Sequence, residues 1–180
     1  PSPFDYANKA TFEVPAGAAD PRQGQAFDQA LIEQLNSCIE PDQATLVIFT
    51  ARQQMYRVLE GLTPELREIV IVQDDYSKQA LVKCHCERVD AGKGSAIFGL
   101  TSLTEGVDLP GHYVNHVVIA KLPFTVPSDP VEATLNEWLT AQGRNPFWEI
   151  SVPDASLRLK QACGRLLRSE HDSGRITLLD

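Results

Sequence analysis

Five short apolar runs, separated from one another by segments with helical periodicity, constrain the fold of this chain more than any other feature. The runs are residues 44–50, 68–73, 95–100, 116–122 and 175–180. Most of them are continuous, without the alternation of polar and apolar residues that a strand with one solvated face shows. Strands buried on both faces are typical of parallel sheets, and their alternation with helices places helices on both sides. The pattern predicts a three-layer α/β domain with a mainly parallel sheet over residues 1–180.

The segments between the runs carry helix signals. In residues 25–39, Phe27, Leu31, Leu35 and Ile39 recur at the spacing of one buried helix face.

Three further helical segments, 52–62, 77–92 and 129–143, contain a glycine at or near their ends, and we interpret these glycines as C-terminal caps. They are Gly61, Gly92 and Gly143. A last helix is predicted over residues 151–169, with Pro153 and Asp154 as its start signals.

Composition limits the classes of function. The chain has 16 Lys and Arg against 24 Asp and Glu, a net charge of −8. A dedicated nucleic-acid binder is usually basic, so we expect this domain to hold DNA only weakly by itself. No apolar run reaches the roughly 20 residues that span a bilayer, and the first residues have no signal-peptide character. We therefore expect no membrane partner. Because the sequence starts without methionine and stops at Asp180, directly after a strand-like run, we expect a domain excised from a longer, cytoplasmic protein.

Cysteines and histidines suggest no metal site. Cys38, Cys84, Cys86 and Cys163 are too few and too scattered for a disulfide framework. The sequence Cys84-His85-Cys86 lacks the second ligand pair that tight zinc sites need. The four histidines have no neighbouring nucleophile pattern, and we interpret all of them as structural; they are His85, His112, His116 and His171.

The chain lacks a phosphate cradle of its own. Residues 91–95, Ala-Gly-Lys-Gly-Ser, resemble the tail of a P-loop, but the Walker spacing is absent and the segment precedes a strand. Neither a G-x-S-x-G elbow nor a G-x-G-x-x-G fingerprint occurs.

Two segments at predicted carboxyl ends of strands carry unusual chemistry. The first is the loop 100–111, which contains glycine, two acids and three hydroxyl side chains. The second is the final helix, where Gln161, Arg165 and Arg168 are related as i, i+4 and i+7, with Arg158 one turn earlier. This stripe is either a solvated basic face or a set of donors for one anionic group held elsewhere. Spacing alone leaves both interpretations open.

The amino-acid sequences of these two segments resemble motifs of a known family. Residues 99–111, GLTSLTEGVDLPG, and 161–169, QACGRLLRS, resemble motifs V and VI of superfamily 2 helicases, in the DinG branch of the XPD-like DNA helicases. Residues 46–55, LVIFTARQQM, resemble motif IV, and residues 121–130 and 138–156 resemble the connector of that family. The resemblance covers essentially the whole chain. It implies the second RecA-like motor domain of an ATP-dependent helicase that moves 5′ to 3′ on single-stranded DNA.

The resemblance assigns roles residue by residue. It implies that Arg165, Arg168 and Gln161 act on the γ-phosphate, with Arg168 as the arginine finger. The positions implied to lie near the nucleotide and the domain interface are Gly106, Asp108, Glu105 and Gly164. The positions implied to touch the DNA backbone are Thr101, Ser102 and, more weakly, Arg52.

The same resemblance implies the cofactors and partners. ATP and Mg²⁺ are shared with a first RecA-like motor domain in the same chain, and single-stranded or forked DNA is the substrate. An iron–sulfur cluster, where the family has one, belongs to that first motor domain, so we expect none here. Because half of the ATP site is missing, we expect the isolated domain to be inactive. A DinG-like nuclease, an ATPase that does not unwind DNA, and a non-catalytic α/β scaffold remain as alternatives.

Overall fold

A parallel sheet organises the molecule. The computed structural model describes residues 6–17, 19–124, 130–167 and 171–180. Within these residues the sheet has six strands in the order β1-β6-β5-β2-β4-β3, and each neighbouring pair is parallel. The strands are β1 (Ala10–Glu13), β2 (Ala44–Phe49), β3 (Val70–Val72), β4 (Ser95–Leu100), β5 (His116–Ile119) and β6 (Gly174–Leu178). The predicted α/β architecture with a mainly parallel sheet is confirmed.

The helices between the strands have the following bounds: α1 (Tyr6–Lys9), α2 (Gln25–Cys38), α3 (Arg52–Gly61), α4 (Pro64–Ile69), α5 (Lys78–Asp90), α6 (Pro130–Ala141) and α7 (Val152–Cys163). A π-helical turn, Phe147–Ser151, leads directly into α7.

The strand β2 lies at the centre, between β4 and β5, and all six of its residues are buried. Its side chains alternate between two cores. Val47 and Phe49 pack into a cluster with α2, α3 and α4, whereas Leu46 and Ile48 pack into a second cluster that includes residues of α5 and α7. Successive residues of a strand point to opposite faces, so a continuous apolar run supplies both cores at once.

Two elements differ from the prediction. The strand β1 was missed because it has only four residues, three of them exposed, and therefore no apolar run. The run 68–73 is half helix: α4 continues to Ile69, and the strand begins at Val70. The start of α4 is marked by Thr63, whose hydroxyl accepts a hydrogen bond from the Leu66 amide at 3.4 Å, and by Pro64 at the first helical position.

Two of the three predicted glycine caps are confirmed. Gly92 and Gly143 follow α5 and α6 with φ of +70° and +71°, the left-handed conformation that ends helices. Gly61 is different, because it is the last residue of α3 and has no positive φ. A Cβ at Gly61 would lie 2.3 Å from Cδ1 of Ile32 in α2. The prediction of a cap at Gly61 is wrong; the residue allows α2 and α3 to approach closely.

This contact predicts a change of sign in a pair of variants. Gly61→Ala should destabilise the wild-type domain by about 1–3 kcal/mol, because the new methyl group overpacks Ile32. In an Ile32→Ala background the same change should be neutral or stabilising by about 0.5–1 kcal/mol, because alanine is the better helix former. Urea unfolding of the two single variants and the double variant measures both values. Equal costs in both backgrounds would contradict the contact.

Two of the histidines are buried in the sheet region. Nε2 of His116 lies 2.9 Å from Oγ1 of Thr177 on the adjacent strand, and burial together with the Arg175 guanidinium lowers the pKa of His116 to about 4. His85 lies between Ser95 Oγ at 2.8 Å and the Tyr113 carbonyl at 2.7 Å, and burial lowers its pKa too. Both imidazoles are therefore neutral structural groups near neutral pH.

His116 predicts an acid sensitivity. Between pH 6.5 and about 4 the unfolded chain binds a proton at this position that the folded protein excludes. The stabilising contribution of His116 should therefore be fully present above pH 6.5. As the pH drops towards 4, the free energy of unfolding should fall by about 3 kcal/mol because of this group. His116→Gln should remove that part of the slope. Parallel pH profiles for the wild type and His116→Gln, from thermal or urea unfolding, would show that the histidine is not the cause.

Candidate functional site

The loops that follow β2, β4 and β3 meet at the carboxyl edge of the sheet. Arg52, the first residue of α3, places its Nε 2.8 Å from Oδ2 of Asp74, which follows β3. Gln73, beside it, accepts a hydrogen bond from the Leu100 amide through Oε1 at 2.8 Å. Partial burial and the carboxylates of Asp74 and Asp75 raise the pKa of Tyr56, whose hydroxyl lies 3.4 Å from Asp74. These contacts tie three neighbouring strand ends together.

The first half of the 100–111 loop is a tight 3₁₀ turn, Thr101–Glu105. The Thr101 hydroxyl donates to the carbonyl of Phe49 at the end of β2, at 3.4 Å, and the Thr104 hydroxyl donates to the carbonyl of Thr101 at 2.6 Å. Ser102 is exposed. The turn folds back on its own strand, because a Cβ at Gly99 would lie 2.3 Å from Cδ2 of Leu103. Of the two hydroxyls predicted to contact DNA, that of Ser102 faces solvent, whereas that of Thr101 is hydrogen-bonded within the domain.

The second half of the loop passes the amino end of α5. A Cβ at Gly106 would lie 2.4 Å from Nζ of Lys78, the first residue of that helix. Gly106 has φ of −145°, which any residue can adopt, and a side chain here would displace the end of the flexible Lys78 side chain. Asp108 is exposed and takes part in a contact of its own. The side chain of Glu105 lies outside the described residues.

The final helix starts where it was predicted and ends earlier. It begins at Val152, with Pro153 within its first two positions and Asp154 in its first turn, and a π-helical turn leads into it. The helix α7 ends at Cys163, and Gly164 is its C-cap with φ of −65°. The amide of Arg165 donates to the carbonyl of Ala162 at 3.1 Å, a three-residue spacing that tightens the chain beyond the helix.

The predicted stripe is therefore divided. Gln161 is exposed on the last turn of α7, and Arg165 lies one residue beyond the C-cap. Arg158 forms an ion pair with Asp154 at 2.8 Å on the helix surface. Arg168 lies outside the described residues.

Arg165 joins the two candidate segments. Its Nη1 donates to the carbonyl of Val107 in the 100–111 loop at 2.9 Å, and the residue is half-buried. The end of α7 is thereby held against the loop that carries Gly106 and Asp108. The carboxyl edge thus assembles the glycine-bent loop, one arginine of the stripe and Arg52, a layout that can present cationic donors and hydroxyls to an anion.

The sequence analysis missed Lys78. Its signal was a lysine at the first position of a helix whose first turn contains no acid. Among the described residues, no group of three or more His, Cys, Asp or Glu side chains is arranged to hold a metal ion. In the same part of the chain, each helix is too short or too polar to cross a bilayer.

Comparison with known families decides the relationship. The sequence pattern described as the helicase C-terminal domain matches residues 32–180. The chain belongs to the helicase C-terminal domain family. This domain is 41% identical over 182 residues to a Photobacterium profundum protein named ATP-dependent DNA helicase DinG, a match that covers 99% of this chain and 26% of that protein.

The Escherichia coli (strain K12) protein of the same name is 32% identical over 183 residues, covering 99% of this chain and 25% of that protein. The helicase C-terminal domain thus spans about a quarter of the length of these curated relatives. The predicted relationship to the DinG branch is confirmed.

Solved structures agree on the fold. A structure described as an XPD helicase superposes with a TM-score of 0.71 at 18% identity, covering 94% of this chain and 31% of that one. The C-terminal domain of the DEAD-box protein Dbp5 gives a TM-score of 0.52 at 13% identity, covering 94% of this chain and 75% of that one. The predicted RecA-like fold is confirmed by these neighbours.

The Arg165 contact can be tested by hydrogen exchange. Arg165→Ala removes the donor that holds the Val107 carbonyl, so amides of residues 101–109 should exchange faster by about 5- to 30-fold, the equivalent of about 1–2 kcal/mol for a charged hydrogen bond. Arg158→Ala, which removes only a surface ion pair on the same helix, is the matched control. Equal exchange of the loop in both variants would mean that Arg165 does not restrain it.

Proposed function

We propose that this domain is the second RecA-like motor domain of an ATP-dependent DNA helicase that moves 5′ to 3′ along single-stranded DNA. The observation that carries the proposal is the Arg165–Val107 hydrogen bond, which places an arginine of the motif VI segment on the motif V loop at the carboxyl edge. The names of the DinG relatives support it.

In this proposal the nucleotide lies in a cleft between two motor domains. The described residues hold no P-loop, so the phosphate cradle and the acid that binds Mg²⁺ belong to the first domain. When the domains close, Arg165 and Arg168 approach the γ-phosphate and stabilise the charge that develops on its oxygens. Gln161 assists at the same phosphate. Tying Arg165 to the loop restricts its reach, which is the preorganisation that such donors need.

The 100–111 loop serves the interface from the other side. Gly106, Asp108 and Glu105 face the nucleotide and the domain boundary, and Gly164 ends the helix that presents the arginines. Asp108 is already exposed, as a group that meets a second domain should be. Hydrolysis removes the bridging charge between the domains and allows them to separate.

The DNA contacts lie at the same edge. Ser102 is exposed, so its hydroxyl is suited to a phosphate oxygen, whereas Thr101 must release the Phe49 carbonyl before it can donate to one. Arg52 is exposed beside them, although Asp74 neutralises part of its charge. With a net charge of −8 the domain alone binds the strand weakly, and the first motor domain supplies the remaining grip. The full protein acts on DNA of the cytoplasmic nucleoid.

The decisive experiment uses the full-length protein. Arg165→Ala and Arg168→Ala should each lower DNA-stimulated ATP turnover by roughly 10³- to 10⁵-fold and abolish unwinding, because each removes charge stabilisation at the transferring phosphate. ATP binding should change only modestly, and the thermal midpoint should fall by no more than a few degrees.

Arg158→Ala is the control, because this arginine lies on α7 but pairs with Asp154. It should keep nearly full turnover. The proposal fails if the arginine variants turn over ATP at the wild-type rate, or if they lose activity only because they unfold. Retained turnover without unwinding in the wild type would instead identify an ATPase that does not separate strands.

A further inference from the structure

We infer that Lys78 is a phosphate-binding residue of this edge and contacts the backbone of the bound DNA strand. Lys78 lies in residues 73–90, and no residue of that segment was assigned a function from the sequence. The inference rests on the proposed function, because it names a further contact in the same DNA path.

The first argument is the position of the ammonium group. Nζ of Lys78 lies against Gly106, so closely that a Cβ there would be 2.4 Å away. The side chain is exposed in the protein, yet its tip is directed onto the backbone of the 100–111 loop. Glycine at position 106 therefore leaves the room that the ammonium group occupies. The Lys78 side chain thus packs against the 100–111 loop at Gly106.

The second argument is the state of its charge. Within the described residues, Lys78 forms no ion pair, whereas Lys83 on the same helix pairs with Glu87 at 3.7 Å. The neighbouring carboxylate of Asp74 is taken by Arg52 at 2.8 Å. Lys78 therefore carries a positive charge that no described carboxylate holds in an ion pair, and the exposed Asp75 lies three residues before it. A cation in that state gains most from an incoming phosphate, because no protein carboxylate has to be displaced.

Lys78 also occupies a position where a lysine lowers the stability of its helix. It is the first residue of the thirteen-residue helix α5, whose first turn contains no acid. The amino end of a helix carries partial positive charge, so a lysine there is destabilising. Helix stability therefore does not account for a lysine at this position.

The fourth argument is the order of groups along the edge. In the sheet order β2-β4-β3, Arg52 follows β2, Thr101 and Ser102 follow β4, and Lys78 comes after β3. Arg52 pairs with Asp74, whose neighbour Gln73 binds the Leu100 amide just before the 3₁₀ turn, and Lys78 lies beside Gly106 just after it. Two cations thus bracket two hydroxyls. A sugar–phosphate backbone that crosses this edge meets all of them in succession.

The test measures binding of an oligothymidine strand to the full-length protein without nucleotide, as a function of salt. Each phosphate neutralised on a single strand contributes about −0.7 to the slope of log K against log salt. Lys78→Gln should make that slope less steep by about 0.7 and weaken binding about fivefold at 0.1 M salt. Lys78→Arg should restore both values. Lys83→Gln, on the same helix but paired with Glu87, should match the wild type. Thermal unfolding of each variant separates this effect from loss of the fold.

A second arm measures the affinity for a non-hydrolysable ATP analogue in the absence of DNA. That affinity should be unchanged in Lys78→Gln. If it falls while the salt slope of DNA binding stays constant, Lys78 serves a nucleotide phosphate and the inference is overturned. If neither changes, Lys78 is a solvated lysine. If the wild-type protein binds no single-stranded DNA, the proposed function fails with it; DNA binding that is indifferent to Lys78 overturns the inference alone.

Discussion

The burial of β2 on both faces and both edges is the constraint on which the rest of the structure depends. Its residues pair with β4 and β5 and supply two cores, so no polar side chain can be presented from the middle of the sheet without a buried partner. His116 shows what is tolerated there, since it is fully buried, is held neutral and lies 2.9 Å from the Thr177 hydroxyl. Groups that act on a ligand are consequently confined to the loops at the strand ends. Because all neighbours are parallel, the carboxyl ends collect at one edge.

At that edge a single loop contacts several of the groups that the proposals involve. Thr101 bonds to the end of β2, Gly106 lies beneath the ammonium group of Lys78, and Val107 accepts from Arg165. All of these contacts fall within residues 101–107. In the proposed function, the nucleotide side and the DNA side of the domain thus share one short segment. Because Val107 is adjacent to Gly106 and close to the 3₁₀ turn, a displacement of Val107 should also move Gly106 and the turn.

The sequence predicted the layers well because buried parallel strands leave an unmistakable pattern, and every one of the five apolar runs contains a strand. It could not predict β1, whose pairing with β6 depends on tertiary contact and not on its own residues. Gly61 was misassigned because a glycine near a helix end predicts a cap, whereas the neighbouring side chain that decides its role, Ile32, is distant in sequence.

The sequence predicted the identities of the site residues more successfully than their arrangement in space. The periodicity of 158, 161, 165 and 168 assumed one continuous helix, and α7 ends before Arg165. Lys78 was missed because its relation to Gly106 joins positions that are 28 residues apart, and helix spacing carries no information about such a contact. Assigning the loop 100–111 to a family depended on resemblance, because glycines, acids and hydroxyls in a turn are also what an ordinary loop contains.

The position of β1 affects how the protein is made. Among the described residues it is the first strand, yet its ladder partner β6 is the last, with Ala10 opposite Gly174. At a synthesis rate of about 5–20 residues per second, β1 waits roughly 10 to 30 seconds on the ribosome before β6 emerges. Throughout that interval a strand with Phe12 more than half exposed has an unsatisfied hydrogen-bonding edge, the feature that recruits foreign strands. Its brevity, four residues, limits that risk, so the weakness that hid β1 from sequence analysis also protects the nascent chain.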